Sequence, residues 1–416
     1  MHDACTEALD GLALPAYVYD LAEVRRAHAL LRSALPQPSE LFYSLKANPH
    51  PRVVGALVGL GCSAEVCSPG ELAAALEAGV ATDRVLYTGP GKRDDEVTAA
   101  LAAGVRRFSV DSPAALEQVR AAARGLARDV HCVLRVNARA AVSDQGLAMT
   151  GVASQFGADA DWVEREPEQF RGLAGFHLFL GTNVEREESL IAQFATAVST
   201  ARRLAEALSL EPLMVDLGGG FAAPFGRRGE LQKLPTLANA LTHLLDRAFP
   251  RWREGRPRIA FESGRYLSAT CGSLLTRVAD VKISYGQPVV VLESGINHLG
   301  GMSGLRRLAP LVPHLAHASE GNDREMWRGA LIAGPLCTPL DTWARSADVP
   351  RLAPGDVLRI PNVGAYGLRA SLLAFLGHPA PYEVVVDHGA IVEISRLAVE
   401  RHLLDVPRSA TRALTA

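Results

Sequence analysis

Lys46 is the first residue of this chain whose setting points to chemistry. It ends the apolar stretch Leu41-Phe-Tyr-Ser-Leu-Lys46, and Ala-Asn48 begins a turn at once. An amine at the end of a buried strand is poorly solvated, which lowers the lysine pKa and frees its lone pair to attack a carbonyl group. The stretch therefore predicts a Schiff-base lysine, although a surface lysine that closes a strand has the same local pattern.

Two glycine-containing segments could hold an anion. Asp216-Leu-Gly-Gly-Gly220 follows one apolar run, and Glu262-Ser-Gly-Arg265 follows the next. Consecutive glycines let backbone N–H groups approach an anion with no Cβ in the way. A plain tight turn is the alternative for the glycines alone, but an arginine one predicted strand later favours a phosphate site. Its predicted residues are Gly219, Gly220, Gly264 and Arg265.

Glu262 adds a carboxylate to the second of these segments. Beside a lysine-bound pyridine ring it would ion-pair with the ring nitrogen and keep that nitrogen protonated, which makes the ring a stronger electron sink. A salt bridge to Arg265 is the alternative. A Schiff-base lysine, a phosphate nest and a ring-nitrogen carboxylate together describe pyridoxal 5'-phosphate (PLP).

The elements that must position these residues alternate in type between residues 41 and 265. Strands are predicted at 41–45, 63–67, 84–87, 106–109, 130–136, 173–179, 212–216 and 258–262, with helices between them such as 69–78, 94–103, 112–124 and 185–208. Such alternation predicts parallel strands with crossover helices, and eight units match a (β/α)8 TIM barrel. A doubly wound open sheet competes, but no G-x-G-x-x-G follows the first strand.

A different texture begins after residue 275. Runs rich in β-branched residues, separated by Gly, Pro, Asn and Asp turns, predict an antiparallel β-domain with strands at 274–281, 288–293, 329–333, 356–360, 382–386 and 391–394. Residues 16–20 resemble one further strand of it. The predicted organisation is an N-terminal segment joining the β-domain (1–32), the barrel (33–272), the β-domain (273–404) and a tail (405–416).

Composition excludes several classes of protein. The 416 residues are 48% hydrophobic with a net charge of -2, so no global field recruits nucleic acid or an anionic membrane. No apolar run reaches the roughly 18 residues of a spanning helix, and no secretory signal is visible. The six cysteines are scattered with no CxxC pair, which favours reduced thiols in a cytoplasm and argues against a structural metal site.

The strand ends of a TIM barrel carry its active site, and polar residues collect there in this chain. These residues are Lys46, Glu65, Ser68, Arg135, Asn137, His177, Phe179, Thr182 and Asp216, followed by Glu262 and Arg265. The strands that precede them are apolar. The pattern therefore predicts one site at the carboxyl ends of the strands.

The chain resembles the fold-type III PLP-dependent decarboxylases, which include diaminopimelate, ornithine and arginine decarboxylases and share an alanine racemase-like barrel. The similarity extends from Tyr17 to Tyr366. The matching motifs are Tyr43-Ser-Leu-Lys-Ala-Asn48, Glu65-Val-Cys-Ser-Pro-Gly-Glu71, Ser154-Gln-Phe-Gly157, Asp216-Leu-Gly-Gly-Gly220, Glu262-Ser-Gly-Arg-Tyr266, Gly334-Pro-Leu-Cys-Thr-Pro-Leu-Asp341 and Gly364-Ala-Tyr366.

The resemblance implies a role for each matching residue. Lys46 would hold the cofactor as a Schiff base, while Thr182, Gly220 and Arg265 hold its phosphate with Tyr366 beside them. Cys337 would be the proton donor, reaching in from the second subunit of a head-to-tail homodimer. A buried apolar thiol is the alternative for a lone cysteine, but the motif around Cys337 favours the catalytic role.

Three departures from the family bear on the substrate. Phe179 replaces a histidine that stacks on the cofactor ring; it can still stack, and nearby His177 either substitutes in part or is a core histidine. Thr338 replaces an acid that receives a distal ammonium, which leaves Asp341 as the remaining carboxylate for a dibasic substrate. The Gly-rich segment 297–304, with Arg306 and Arg307, resembles family members that act on derivatised or carrier-tethered amino acids, or is a solvated loop.

The predicted function is therefore PLP-dependent α-decarboxylation of an amino acid, a carboxy-lyase reaction, with a substrate that is not a free dibasic amino acid and could be presented by an acyl or peptidyl carrier protein. A decarboxylase of free ornithine or diaminopimelate and an amino-acid racemase on the same fold are the enzymatic alternatives. A regulatory relative without activity is a third, but it should have lost Lys46 or the glycines.

Overall fold

The computed structural model describes residues 13–138, 151–300 and 325–403, and the backbone alone at 147–148 and 314–315. The predicted tail at 405–416 and the basic pair Arg306 and Arg307 lie outside the described residues. The described part of the chain begins with strand β1 (Ala16–Asp20) and helix α1 (Leu21–Ser33).

Helices and strands then alternate as the sequence predicts. The strands are β2 (Glu40–Ser44), β3 (Ser63–Val66), β4 (Val85–Tyr87), β5 (Arg107–Val110), β6 (His131–Asn137), β7 (Leu147–Ala148), β8 (Ala158–Asp159), β9 (Gly175–Leu178), β10 (Gly181–Thr182), β11 (Met214–Asp216) and β12 (Arg258–Ser263). The helices are α2 (Pro51–Gly59), α3 (Pro69–Glu77), α4 (Asp94–Ala103), α5 (Pro113–Gly125), α6 (Ala160–Arg165), α7 (Glu187–Ala207), α8 (Leu237–Ala248) and α9 (Arg265–Ser268).

Eight of these strands close into a parallel barrel. They run in the order β2, β3, β4, β5, β6, β9, β11, β12 and back to β2, and every neighbouring pair is parallel. Each strand lies within two residues of its predicted bounds. The predicted (β/α)8 barrel is confirmed, and the open-sheet alternative is wrong because β5 pairs with β6 and leaves no edge.

Local sequence explains where the crossover helices begin. Ser68 and Ser112 precede α3 and α5, and each side chain accepts a backbone N–H of the first turn. A proline occupies the first position of both helices, where the missing N–H costs no hydrogen bond. Each helix therefore begins directly behind the end of a barrel strand, which keeps the strand ends free for the site.

The second sheet is built from β13 (Gly272–Ser284), β14 (Gln287–Leu292), β15 (His314–Leu315), β16 (Met326–Ala333), β17 (Thr342–Pro350), β18 (Val357–Ile360), β19 (Tyr382–Asp387) and β20 (Ala390–Arg396). Strand β1 lies between β13 and β19, which confirms that the N-terminal strand joins this sheet. The sheet is mostly antiparallel, which confirms the predicted antiparallel β-domain, and two of its strand pairs, β1 with β19 and β14 with β16, are parallel.

Strand β17 was not predicted from the sequence. Its residues, Thr-Trp-Ala-Arg-Ser-Ala-Asp-Val-Pro, contain one β-branched apolar residue, and register shifts against β16 interrupt the inside-outside alternation. The domain bounds at 32, 272 and 404 remain predictions. Among the helices of the described residues, none is both long and apolar enough to cross a membrane.

Candidate active site

Lys46 lies just beyond β2, in the short 3-10 turn Leu45–Ala47. Its Nζ is 3.2 and 3.3 Å from the two carboxylate oxygens of Glu65, a buried residue of β3. Burial lowers the pKa of the Lys46 amine, but the charges of Glu65, then of Tyr366 and Glu262, outweigh burial and raise the pKa above its ordinary value. The sequence-based prediction of a lowered pKa for Lys46 is therefore wrong for the protein without a cofactor, because the carboxylate of Glu65 lies within ion-pair distance of the amine.

A cavity of about 450 Å³ opens at the carboxyl ends of the barrel strands, around Lys46. The predicted site residues that line it are Lys46, Phe179, Thr182, Gly220, Glu262, Gly264, Arg265 and Tyr366. Gly219 and His177 lie directly behind residues of this wall. The structure thus brings together the predicted site residues of the barrel with Tyr366 of the second sheet's domain.

The glycines after β11 leave no room for side chains. A Cβ on Gly219 would lie 2.4 Å from the carbonyl oxygen of Glu262. A Cβ on Gly220, whose φ is +110°, would lie 2.8 Å from Nε2 of Gln193, which itself donates a 2.8 Å hydrogen bond to the carbonyl oxygen of Gly219. The backbone is therefore packed closely on one side and open to the cavity on the other, as an anion nest requires.

Arg265 provides the positive charge beside this nest. Its guanidinium carbon is 4.8 Å from the centroid of the Tyr366 ring, and burial lowers the pKa of Arg265. Tyr366 has a φ of +55°, and its N–H donates to the carbonyl oxygen of Ala47 at 2.8 Å. Asn48 also donates to the carbonyl oxygen of Gly364 at 2.9 Å, so the turn that carries Lys46 fixes the segment that carries Tyr366.

Glu262 ends a buried polar network that crosses the barrel. His177 Nε2 lies 3.2 Å from Glu262 Oε1, and His177 Nδ1 is hydrogen-bonded to Ser109 Oγ at 2.8 Å. Burial raises the pKa of Glu262, but the positive charge of His177 outweighs it and holds that pKa below its ordinary value. Burial and the charge of Glu262 raise the pKa of neighbouring Asp216. Glu262 is thus kept ionised and Asp216 is biased towards its protonated form.

The carboxylate of Glu262 also forms part of the cavity wall. Glu262 is 1% exposed, and its Oε1 faces His177 Nε2 at 3.2 Å. An ionised, buried carboxylate at a cavity wall suits a protonated ring nitrogen. With the glycine nest, Arg265 and the Lys46 amine, this donor set fits PLP.

Phe179 lines the cavity between two cations. Lys46 Nζ is 5.9 Å from the centroid of its ring, and the guanidinium carbon of Arg135 is 5.7 Å from it. The same guanidinium lies 4.7 Å from the ring of Phe156. Phe179 therefore occupies the wall at which the sequence placed a stacking ring, with cation–π contacts available on its faces.

Cys337, Thr338 and Asp341 do not line the cavity of a single chain. Cys337 is exposed in the loop between β16 and β17. Asp341 is 2% exposed, and its two carboxylate oxygens accept the backbone N–H groups of Ile296 and Leu336, each at 2.8 Å. The geometry gives Asp341 a role in holding the loop, whereas its predicted contact with substrate remains a prediction.

Two residues of the site, one in the cavity wall and one behind it, were not predicted from the sequence. Lys92 follows Thr88-Gly-Pro-Gly at the end of β4, and the rule that strand ends carry the site could have found it. Ser109 lies inside β5, and its hydroxyl is hydrogen-bonded to Nδ1 of His177. No local signal marks a serine in a buried strand, so Ser109 could be found only from the structure.

Comparisons with known proteins agree with this geometry. Residues 21–269 match the family model of the pyridoxal binding domain of pyridoxal-dependent decarboxylases. The chain is 29% identical over 394 residues to an L-glutamyl-[BtrI acyl-carrier protein] decarboxylase of Niallia circulans, covering 92% of this chain and 91% of the relative. It is 32% identical over 398 residues to a diaminopimelate decarboxylase of Methanothermobacter thermautotrophicus, covering 92% and 89%.

The fold has solved counterparts as well. The structure of diaminopimelate decarboxylase from Helicobacter pylori complexed with L-lysine superposes with a TM-score of 0.79 at 23% identity, covering 94% of this chain and 95% of that one. At this identity the likeness establishes the barrel and its accompanying sheet domain.

Proposed function

The chain belongs to the pyridoxal-dependent decarboxylase family, and from that premise we propose that it removes the α-carboxylate of an amino acid carried on a carrier protein, and not of a free dibasic amino acid. It is a PLP-dependent amino-acid decarboxylase. PLP supplies the electron sink that receives the electron pair when the carboxylate leaves.

The described residues divide the work of holding the cofactor. Lys46 Nζ would carry it covalently. Gly219, Gly220, Gly264, Thr182 and Arg265 would hold the phosphate, with Tyr366 against Arg265. Glu262 would keep a proton on the ring nitrogen, since His177 holds the carboxylate in its ionised form. A racemase of this fold tends to place an arginine at that position, so Glu262 favours decarboxylation.

Phe179 would pack against the cofactor, and Cys337 would supply a proton. Phe179 offers a flat apolar face for stacking, worth about 0.5–1.5 kcal/mol beyond area burial. Cys337 Sγ of a second subunit would give its proton to the substrate α-carbon, a step worth about 10²–10⁴-fold. A homodimer with shared sites is therefore part of the proposal. A cytoplasmic location is part of it as well, since the five cysteines among the described residues are free thiols.

One observation carries the proposal about the substrate. Three carboxylates line the cavity, and each already has a cationic neighbour or a role: Glu65 pairs with Lys46 at 3.2 Å, Glu96 with Arg93 at 3.4 Å, and Glu262 faces His177. Among the described residues, none remains to receive a distal ammonium. Together with the neutral Thr338, this disfavours ornithine, lysine and diaminopimelate, because a buried ammonium needs a charged partner.

The proposal that the substrate is bound to a carrier protein is supported by the Niallia circulans relative, which is named for a glutamyl group on an acyl-carrier protein. The test is to incubate PLP-loaded protein with a panel of free and carrier-loaded amino acids and to follow CO2 release. We expect release from a loaded amino acid and none from the Lys46→Ala variant. Efficient turnover of free ornithine or diaminopimelate would overturn the proposal, and turnover of free acidic amino acids alone would overturn its carrier part.

A further inference from the structure

Two cations line the cavity without an anionic partner. Lys92, in the loop after β4, donates from Nζ to the carbonyl oxygen of Gly89. Arg135, in β6, is 7% exposed, and its guanidinium makes no hydrogen bond to any described residue. No carboxylate oxygen of the described residues lies within 4 Å of either cation. The other two cations of the cavity wall differ in this respect, because Lys46 pairs with Glu65 and Arg265 is assigned to the phosphate.

The surroundings of Arg135 leave its hydrogen-bond donors available. The rings of Phe156 and Phe179 lie 4.7 and 5.7 Å from its guanidinium carbon, and such cation–π contacts leave the N–H donors unused. The N–H donors lie in the plane of the guanidinium, and their fork matches the two oxygens of a carboxylate. A buried charge with unused donors is costly unless a ligand completes it.

Lys92 lies close enough for the two cations to repel each other. Burial lowers the pKa of Lys92 to about 8; Asp111 opposes this shift, and Arg135 adds to it. The carboxylate of Asp111 does not lie within 4 Å of the Lys92 amine, so the two form no direct ion pair. One of its oxygens accepts the backbone N–H of Gly157. An anion bound beside Lys92 and Arg135 would offset both the repulsion and the burial of charge.

We propose that Lys92 and Arg135 bind the side-chain carboxyl group of the substrate. A free carboxylate would form ion pairs with both cations, whereas the neutral acyl group joined to a carrier thiol would accept hydrogen bonds from them through its carbonyl oxygen. The inference rests on the proposed function and narrows it. The substrates are acidic amino acids and their side-chain acyl derivatives, since the same two cations would repel the distal ammonium of a dibasic amino acid.

Ligand binding tests this assignment without turnover. Glutarate, which has two carboxylates, and valerate, which has one, would be titrated into PLP-loaded protein by calorimetry. The variants are Lys92→Gln, Lys92→Arg and, as a matched control, Lys282→Gln, which removes an exposed lysine of β13. Visible absorption and circular dichroism would establish that each variant is folded and loaded.

We expect glutarate to bind the wild-type protein more tightly than valerate, and Lys92→Gln to weaken glutarate binding by about tenfold, the loss typical of one hydrogen bond to a charged group. Valerate binding should be unchanged in Lys92→Gln, and glutarate binding should be unchanged in Lys92→Arg and Lys282→Gln. The inference is wrong if glutarate binds no better than valerate, or if Lys92→Gln weakens the binding of neither ligand. It is also wrong if Lys92→Gln weakens the binding of both ligands equally, because Lys92 would then lie at the α-carboxylate.

Turnover then separates the two sources of the carboxyl group. Free L-glutamate and L-glutamate joined through its side chain to pantetheine would be compared in CO2 release. Lys92→Gln should raise the KM of whichever compound is used, with a smaller effect on kcat. If neither compound is decarboxylated but Lys92→Gln still weakens the binding of glutarate and not of valerate, the carrier proposal fails and the carboxyl site stands. If the KM is unchanged in Lys92→Gln, the proposed carboxyl site is wrong.

Discussion

The barrel cavity and the loop Gly334–Asp341 contribute to the proposed site in opposite ways. The barrel side is buried, and its residues fix one another within a single chain, as in the contact of Glu262 with His177. The loop is ordered at its base by Asp341 but presents Cys337 to solvent, next to Leu340, which is 75% exposed. The barrel half of the proposed site therefore lies within one chain, whereas Cys337 does not reach the cavity formed by the described residues of the same chain.

This difference separates two kinds of constraint. A residue at a barrel strand end is held by the sheet and by the residues packed behind it, so its position follows from the fold. The proposed role of Cys337 would depend on a second copy, and an exposed apolar residue such as Leu340 is what a buried interface would cover. Variants on the two sides should accordingly differ in how they respond to mixing of subunits.

Replacing Lys46 should have the largest effect. Lys46→Ala removes the proposed covalent link and should reduce CO2 release to background, with loss of the visible absorption that borohydride abolishes in the wild-type protein. Lys46→Arg is the matched control, because it keeps a positive charge beside Glu65 but should not restore absorption. Full turnover by Lys46→Ala would remove the chemical basis assigned to the barrel side.

Replacing Cys337 should have the next largest effect and should test the sharing of sites. Cys337→Ala should lower kcat by about 10²–10⁴-fold, the usual contribution of a general acid, while the visible absorption stays. The barrel side would thus remain loaded, in contrast to Lys46→Ala.

Mixing the two inactive variants makes the comparison decisive. If Cys337 acts in the partner subunit, a mixed dimer of Lys46→Ala and Cys337→Ala has one intact site, and equal mixing should recover up to about a quarter of wild-type activity. The double variant Lys46→Ala/Cys337→Ala is the control, because a dimer of it with either single variant has no site in which both groups are intact. No recovery after subunit exchange would contradict a shared site.

The sequence was sufficient for the barrel side because its signals are local. Each strand is a short apolar run whose end carries a polar residue, so periodicity located all eight strands within two residues and placed Lys46, Gly220 and Glu262 at one end. The nest was predictable as well, because only glycine fits where a Cβ would meet a backbone carbonyl, as at Gly219.

What the sequence did not predict depends on contacts between distant segments. The raised pKa of Lys46 comes from Glu65 on the neighbouring strand, and Ser109 reaches Glu262 only through His177, which joins three strands of the closed barrel. Likewise, the buried state of Asp341 depends on Ile296, 45 residues away along the chain. Such pairs require the three-dimensional arrangement, since no periodicity encodes them.

The smallest effect is expected from Asp341, and it decides between a structural role and the substrate contact expected from the sequence. In Asp341→Asn, an amide NH2 would face one of the two backbone N–H groups of Ile296 and Leu336, leaving a buried donor unsatisfied at about 1–3 kcal/mol. Calorimetric unfolding should show a lower midpoint temperature for Asp341→Asn than for the wild-type protein.

Asp348→Asn is the matched control. Exposed Asp348 also accepts a backbone N–H, that of Gly329 at 3.0 Å, but water can replace the lost acceptor there. If Asp341→Asn keeps full stability and instead changes the preference between acidic and dibasic substrates, Asp341 contacts the substrate, and the loop must rearrange from the geometry seen in one chain.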